Sequence, residues 1–312
     1  MRDWLIIIWR KIQKSKRLTW FVNFMTWFIE TELFNATMDW LERLTAKEKL
    51  IDKRAYFKRN QQRIKENMDA LADDKSKRVY KNAFLYRGTL KRKYLAETSP
   101  AKEKYFDEKI ITFCKNELYV EGGAYVGDTV LSLADWWPYF KTDAQKMCGG
   151  GQKLDVVCFE PDRYNAERLE KNLKEIKKKR SEFNYNVIHA AMWNEKSELQ
   201  FESGADYASR LGNTGKEIVK AEKIDDILSE LYPEQKVTFI KMDVEGAEPE
   251  ALEGARATIE RDHPTLSICI YHTDEQMISI IEEIRKRYPF YKIYVRHYAR
   301  AWTETVMYAV PE

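Results

Sequence analysis

Short apolar runs alternate with segments of helical periodicity over roughly the last two thirds of the chain. We predict strands at residues 117–121, 155–160, 186–193, 237–243, 265–272, 291–298 and 304–310. Apolar positions three and four residues apart predict helices at residues 163–179, 248–260 and 274–287. Strands that alternate with helices are typical of a mostly parallel sheet covered on both faces. The pattern therefore predicts a doubly wound α/β fold whose last two strands form a hairpin.

The first 108 residues differ from the remainder in pattern and in charge. They carry a net charge of +10, whereas the rest of the chain carries −7. Five of the nine tryptophans stand within the first 40 residues, and helical spacing recurs from residue 31 onward. We therefore predict a helical, basic and aromatic segment over residues 1–108 and a Rossmann-like domain over residues 109–312. The net charge of the whole chain is only +3, which excludes a dedicated polycation for nucleic acid.

The N-terminal apolar runs are too short to cross a bilayer. Residues 4–9 read WLIIIW, whereas a span needs ~20 apolar residues. The basic sequence RKIQKSKR follows, and no small-residue cleavage site is present. Four cysteines without a C-x-x-C pair favour a reducing compartment. We expect a cytoplasmic protein in which residues 1–45 pack on the domain. Peripheral contact with the inner face of a membrane, or a homodimer through these residues, is the alternative.

Four of the predicted strands end in a polar residue. These residues are Glu121, Glu160, Asp243 and His272. The carboxyl ends of the strands in an open α/β sheet border the ligand crevice, so we expect the four side chains to converge there. A glycine turn with the pattern E-x-G-x-x-x-G runs from Glu121 to Gly127 and lets a ligand approach the backbone closely.

The glycine turn and the acid that ends the second strand together favour an adenosine-bearing cofactor. Glu160 could accept hydrogen bonds from both ribose hydroxyls. A nicotinamide site usually has G-x-G-x-x-G facing a pyrophosphate, and Glu121 would place a negative charge beside that group. The same charge suits the ammonium and sulfonium groups of S-adenosylmethionine. We therefore predict S-adenosylmethionine as the cofactor, with a nicotinamide-dependent oxidoreductase as a less favoured alternative.

Six motifs fall within residues 105–312. They read VEGGAYVGDTV, CFEPDRYNAERLEKNL, NVIHAAMW, FIKMDVEGAEPEALEGA, LSICIYH and YVRHYARAWTETVMYAVP. Together they resemble the FkbM-type S-adenosylmethionine-dependent methyltransferases. The resemblance implies the class I methyltransferase fold, which is a doubly wound, mostly parallel sheet of seven strands. It also implies methylation of hydroxyl oxygens, often on sugars or secreted small molecules.

The resemblance assigns roles to particular residues of the cofactor site. It implies that Glu121, Gly123 and Gly127 form the cofactor loop together with Tyr125, and that Glu160 holds the ribose. Glu121 stands where the family more often has Asp, and Tyr125 stands where it often has Asn. The second departure concerns the part of the loop beside the methionine end of the cofactor.

Transfer of a methyl group to a hydroxyl benefits from a general base. His272 titrates near neutrality and ends the fifth strand, so we predict it as that base. We predict that Asp243 contacts the cofactor and that Asp243 or Glu245 orients His272 or accepts the substrate hydroxyl. His297 is a second candidate base. A divalent metal held by Asp243, Glu245, His272 and Asp274 is an alternative that we do not favour, so we predict no metal site.

The predicted function is an S-adenosylmethionine-dependent O-methyltransferase that modifies a sugar, a glycan or a small molecule. The principal alternative is a non-catalytic scaffold that keeps the fold and docks a partner or a membrane. We expect no nucleic acid partner. The turn after the fourth strand reads DVEGAE, which differs from the proline-aromatic turn that holds a planar amino group.

Overall fold

The structure of the chain is a computed structural model that describes residues 47–137, 153–202, 210–211 and 217–312. The predicted packing, membrane contact or dimerisation of residues 1–45 lies outside these ranges. No helix in the described ranges is long and apolar enough to cross a bilayer.

Nine α-helices and eleven strands are present in the described residues. The helices are α1 (Lys47–Arg59), α2 (Gln61–Ala70), α3 (Asp74–Thr89), α4 (Asp128–Trp136), α5 (Arg163–Lys179), α6 (Ile224–Leu231), α7 (Glu248–Gly254), α8 (Arg256–Asp262) and α9 (Gln276–Arg287). The strands are β1 (Asn116–Gly122), β2 (Lys153–Phe159), β3 (Phe183–Ile188), β4 (Ala191–Trp193), β5 (Ser197–Glu202), β6 (Arg210–Leu211), β7 (Glu217–Lys223), β8 (Phe239–Met242), β9 (Thr265–Cys269), β10 (Tyr291–His297) and β11 (Thr305–Pro311).

Seven strands form the central sheet in the order β10-β11-β9-β8-β1-β2-β3. β11 runs antiparallel to both of its neighbours, and every other pair is parallel. β1 and β2 are buried at every position after the first, as expected for strands covered on both faces. The chain passes from β1 to β2 and β3 on one side and later returns to the other side of β1 with β8. The topological switch therefore lies between β1 and β8, and the predicted doubly wound, mostly parallel seven-stranded sheet is confirmed.

The prediction of one continuous strand over residues 186–193 is wrong. The amide of Ala190 donates to the Ile188 carbonyl at 2.8 Å, and this tight turn ends the pairing of β3 with β2. After the turn, β4 pairs in parallel with β7 and belongs to a second sheet of order β4-β7-β5-β6. The predicted helix over residues 248–260 is also divided, because α7 ends at Gly254 and α8 begins at Arg256.

The described helices of the predicted N-terminal segment pack on the sheet and on α9. Tyr80 of α3 is fully buried, and its hydroxyl donates to the Met277 carbonyl at 2.9 Å. Arg296 of β10 pairs with Asp73, at the start of α3, at 2.7 Å. Apolar side chains of α3, α9 and the sheet belong to one buried cluster. Helices α1–α3 therefore share a core with the sheet.

A glycine at the end of α7 sets the distance between this helix and β4. A Cβ on Gly254 would lie 1.9 Å from the carbonyl oxygen of Trp193, so one of the two backbones would have to move. We expect Gly254→Ala to lower the free energy of unfolding by about 1–3 kcal/mol in urea titrations. Gly88 of α3 is the matched control, because a Cβ there meets its nearest atom at 3.5 Å. Gly88→Ala should stabilise by about 0.4–1 kcal/mol, and equal effects at the two sites would contradict the proposed close contact.

Candidate active site

A cavity of about 750 Å³ opens at the carboxyl ends of β1, β2, β8 and β9. This volume is typical of sites that bind drug-sized ligands. The predicted site residues in its lining are Gly123, Tyr125, Glu160, Asp243, Glu245 and His272. Glu121 and Gly127 do not line it. The structure therefore brings six of the eight predicted residues to one cavity, and the other two are outside its lining.

The turn after β1 lies against the ends of β2 and β8. Gly123 has a φ of 70°, and a Cβ at this position would lie 1.9 Å from the Asp243 carbonyl oxygen, so a side chain would collide with the end of β8. The amides of Gly123 and Ala124 both donate to the Phe159 carbonyl at 3.1 Å. Gly127, with a φ of 82°, precedes the first residue of α4. Gly123 therefore permits a close contact between the turn and the end of β8, and the predicted close approach of a ligand to this turn stays a prediction.

Glu160 follows β2 and is only 5% exposed. Its Oε2 atom accepts a hydrogen bond from the Tyr125 amide at 2.7 Å, and its Oε1 atom accepts one from the Asp162 amide at 3.0 Å. Burial raises the pKa of Glu160 to about 7, although both amides favour the ionised form. A carboxylate has about four lone-pair sites, so both oxygens can accept further hydrogen bonds. The remaining acceptor positions of the Glu160 carboxylate fit the two hydroxyls of a ribose.

A buried ion pair lies beneath the glycine turn. The Nζ atom of Lys241 is 3.0 Å from Oε1 of Glu121, and both side chains are almost fully buried. The same ammonium group donates to the carbonyls of Gly122 at 3.3 Å and Gly123 at 3.0 Å. Burial raises the pKa of Glu121 to about 6, and the charge of Lys241 opposes that rise. The negative charge predicted at Glu121 is therefore matched by a lysine inside the protein.

The imidazole of His272 lies among three carboxylates. Its Nε2 atom is 3.2 Å from Oδ1 of Asp243 and 3.1 Å from Oε1 of Glu248, and its Nδ1 atom is 3.5 Å from Oε2 of Glu245. Burial lowers the pKa of His272, but Asp243 and Glu248 outweigh burial and raise it to about 10. A pKa this high favours the protonated ring over the free base at neutral pH. This pKa does not favour His272 as a general base, and its role as a base stays a prediction.

Asp243 and Glu245 have opposite electrostatic environments although they are two residues apart. Asp243 accepts hydrogen bonds from the hydroxyls of Tyr105 at 2.5 Å and Tyr271 at 3.2 Å. Burial alone would raise the pKa of Asp243, but His272 and two nearby lysines hold it well below its usual range. Burial raises the pKa of Glu245 to about 7. Asp243 is therefore ionised at neutral pH, whereas Glu245 has a pKa close to neutral pH.

His297 lies away from the cavity. It is 3% exposed, and its Nδ1 atom is 2.9 Å from the hydroxyl of Thr305 on the adjacent strand. Burial lowers the pKa of His297 to about 4, so the ring is neutral. These contacts are those of a structural histidine between β10 and β11.

Asp274 is also separated from the other carboxylates of its predicted group. It pairs with Lys53 of α1 at 2.6 Å and with Arg87 of α3 at 2.7 Å. Two cations of the N-terminal helices therefore occupy this carboxylate. Glu248, the first residue of α7, lies beside His272 instead. The metal group considered in the sequence analysis contains Asp274 and does not contain Glu248.

Several further cavity residues are not among the predicted site residues. Lys104, Tyr105 and Trp302 line the cavity from the segment before β1 and from the loop between β10 and β11. No motif marks Lys104 or Tyr105, whereas Trp302 lies in the quoted motif YVRHYARAWTETVMYAVP but has no predicted site role. Lys241 does carry a signal, because it is the one charged residue of the fully buried strand β8. A charge in such a strand requires a buried partner, and that partner is Glu121.

Comparison with known protein families matches the methyltransferase FkbM domain to residues 121–291, which is more than half of the chain. This chain belongs to the FkbM methyltransferase family. The resemblance of its motifs to that family is therefore confirmed. Membership implies S-adenosylmethionine as the methyl donor, and the residues around Glu160 fit its nucleoside part.

A solved structure of an FkbM methyltransferase has a similar fold. The FkbM methyltransferase of Methylobacillus flagellatus KT superposes with a TM-score of 0.65 and 25% sequence identity, covering 82% of this chain and 60% of that chain. This chain therefore spans less than two thirds of the length of that relative. An rRNA methylase of Streptococcus thermophilus matches with a TM-score of 0.38 and 10% identity over 66% of this chain and 90% of its own, which supports no statement about activity. No protein of curated function matches the chain.

The buried ion pair of Glu121 and Lys241 predicts that removing the lysine alone destabilises the protein more than removing both charges. Lys241→Met leaves Glu121 buried without its cation, and we expect a loss of about 3–5 kcal/mol in the free energy of unfolding at pH 8. The loss should be smaller at pH 5, because Glu121 without the lysine takes up a proton and becomes neutral. Urea titrations at both pH values measure the effect.

Two variants complete this test. Glu121→Gln combined with Lys241→Met should recover part of the stability, because neither buried charge remains. Lys236→Met is the control, since Lys236 is exposed and should change stability by less than about 0.5 kcal/mol. A Lys241→Met protein as stable as the control would contradict the pairing.

Proposed function

We propose that this FkbM methyltransferase is an S-adenosylmethionine-dependent O-methyltransferase that acts on a hydroxyl group of a sugar, a glycan or a small molecule. One observation carries the proposal. Glu160 and the group formed by Asp243, Glu245 and His272 line the same cavity at neighbouring strand ends. The first suits the nucleoside of a cofactor, and the second suits a hydroxyl group that must be bound and deprotonated.

The cofactor half of the cavity is built from backbone and carboxylate groups. Glu160 offers both oxygens to the ribose hydroxyls, and Gly123 brings backbone into the cavity lining at a point where the Asp243 carbonyl leaves no room for a side chain. Asp243 adds a carboxylate that stays ionised at neutral pH. S-adenosylmethionine, when bound, supplies an electrophilic methyl group. The contribution of the protein is therefore mainly to position the acceptor oxygen.

Glu245 is the side chain best placed to take the proton of the acceptor hydroxyl. Its carboxylate is 39% exposed and lines the cavity. Both ring nitrogens of His272 face carboxylates, so this ring orients its neighbours more readily than it reaches an acceptor. Trp302 also lines the cavity and is 49% exposed, which offers an apolar face to the acceptor.

Transfer of labelled methyl groups to a panel of sugars, glycans and hydroxylated small molecules tests the reaction. We expect formation of S-adenosylhomocysteine with at least one of these acceptors. Glu245→Gln should lower kcat by about 10²- to 10⁴-fold, because the hydroxyl loses its proton acceptor. The affinity for S-adenosylhomocysteine should be unchanged, since Glu245 lies at the acceptor end.

The control for this substitution is Glu250→Gln, at a helical glutamate that does not line the cavity. Its kcat should equal that of the unmodified protein. Methylation of nucleic acid in place of all hydroxylated acceptors would contradict the proposal. Binding of S-adenosylhomocysteine without turnover on any acceptor would instead favour the non-catalytic scaffold.

The raised pKa of Glu160 predicts that cofactor affinity depends on pH. The ionised carboxylate accepts the ribose hydrogen bonds, and it takes up a proton as the pH falls through about 7. We therefore expect calorimetry to show weaker binding of S-adenosylhomocysteine at pH 6 than at pH 8. Glu160→Gln should weaken binding at pH 8 by roughly tenfold to a hundredfold, the value of about 1.5–3 kcal/mol typical of a charged hydrogen bond.

The same variant separates the titration of Glu160 from that of the ligand. A glutamine does not titrate, so any pH dependence that remains in Glu160→Gln belongs to the ligand or to other groups. The difference in affinity between the two proteins should shrink from pH 8 to pH 6. A constant difference over this interval would contradict the assigned role of Glu160.

A further inference from the structure

Three side chains of different elements meet at the acceptor end of the cavity. Asp243 follows β8, Glu248 begins α7 and His272 follows β9. One ligand atom from each lies within 4.8 Å of the other two. Neither the family match nor the related structures assign a function to this group, which we call the Asp-Glu-His cluster.

Two atoms of the Asp-Glu-His cluster are buried without a hydrogen-bond partner. They are Nε2 of His272 and Oε2 of Glu248. The His272 side chain is 7% exposed and that of Glu248 is fully buried. Nε2 is within 3.2 Å of two carboxylate oxygens, yet it forms no well-oriented hydrogen bond with either. Leaving a buried polar atom unpaired is costly, so this arrangement indicates a missing ligand.

The spacing within the cluster matches that of ligands around a small cation. Octahedral coordination with metal–oxygen bonds of about 2.1 Å places adjacent ligand atoms about 3.0 Å apart. The Nε2 atom of His272 is 3.2 Å from the Asp243 oxygen and 3.1 Å from the Glu248 oxygen. We propose that Asp243, Glu248 and His272 bind one divalent cation of the Mn²⁺ or Mg²⁺ class.

The composition of the cluster favours this class of cation. Carboxylate ligands suit Mg²⁺ and Mn²⁺, and thiolates, which select softer metals, are absent from the Asp-Glu-His cluster. Three protein ligands leave three positions of an octahedron for water or substrate oxygens. Asp243 and His272 line the cavity and Glu248 is fully buried, so a cation held by the three would lie at the cavity wall.

The surroundings of the cluster hold its ligand atoms in place. The hydroxyls of Tyr105 and Tyr271 donate to Asp243, and the Val244 amide donates to Oε1 of Glu248 at 2.9 Å. Oε2 of Glu245 faces the Nδ1 atom of His272 at 3.5 Å. A carboxylate on the second nitrogen is a common way to orient a metal-binding histidine.

The cation deepens the proposed function and rests on it. Two adjacent hydroxyls of a sugar can occupy two coordination positions, which would align one of them beside the cofactor. A divalent cation also lowers the pKa of a coordinated hydroxyl and so helps Glu245 to remove its proton. This inference departs from the prediction of no metal. Of the four ligands in the alternative metal group it keeps Asp243 and His272, and Glu248 takes the place of Glu245 and Asp274.

Mn²⁺ binding to the full-length protein, freed of metal with EDTA, tests the inference. Electron paramagnetic resonance reports free Mn²⁺ directly and needs no acceptor. We expect one Mn²⁺ per chain, displaced by excess Mg²⁺, and at least about tenfold weaker binding in His272→Gln and Glu248→Gln. Glu250→Gln, outside the cluster, should bind Mn²⁺ as the unmodified protein does.

S-adenosylhomocysteine affinity, measured on the same samples, separates the possible failures. Variants that bind this ligand normally but lose Mn²⁺ support the cation site, since their fold and cofactor half are intact. Normal cofactor binding without stoichiometric Mn²⁺ binding in the unmodified protein overturns the cation and leaves the methyltransferase proposal standing. Mn²⁺ binding that the cluster variants do not weaken also overturns it. If the unmodified protein binds Mn²⁺ but does not bind S-adenosylhomocysteine, the proposed function is contradicted.

Discussion

The ion pair between Glu121 and Lys241 supports the whole crevice between β1 and β8. Two charges removed from water must satisfy each other, and Lys241 also binds the carbonyls of the glycine turn. The turn is thereby fixed against the Asp243 carbonyl, at a separation that excludes a side chain on Gly123. The residues that follow Gly123 then place the Tyr125 amide where it donates to Glu160. The position of the Glu160 carboxylate therefore depends on a buried pair of which Lys241 lines the cavity and Glu121 does not.

The N-terminal helices stabilise the opposite end of the cavity. Arg87 of α3 pairs with Asp274, donates to the Tyr271 carbonyl and lies 5.6 Å from the Trp302 ring. Arg87 thus connects Tyr271 and Asp274, which flank His272 in the sequence, with the loop between β10 and β11. The described helices α1–α3 consequently do more than cover apolar surface. They hold the loop that supplies His272, and they occupy Asp274 so that it cannot join the other carboxylates.

The cavity combines charges of both signs at short range. Lys104 lies 3.7 Å from Asp243, and its ammonium also contacts Glu304. Asp243 in turn accepts hydrogen bonds from two tyrosines and faces His272. Preorganised groups of this kind need not rearrange when a polar acceptor enters.

The sequence alone determined the strands of the central sheet and their alternation with helices, and it located the polar residues Glu160, Asp243 and His272, because parallel strands end on one edge of a sheet. It did not predict β5, β6, β7 or α6. Only the tertiary structure showed that Lys241 neutralises Glu121, that Glu248 rather than Asp274 adjoins His272, and that residues 186–193 divide between two sheets. These outcomes depend on register, on tight turns and on packing between elements distant along the chain. Periodicity reports which face of an element is buried, but it does not report which partner that face meets.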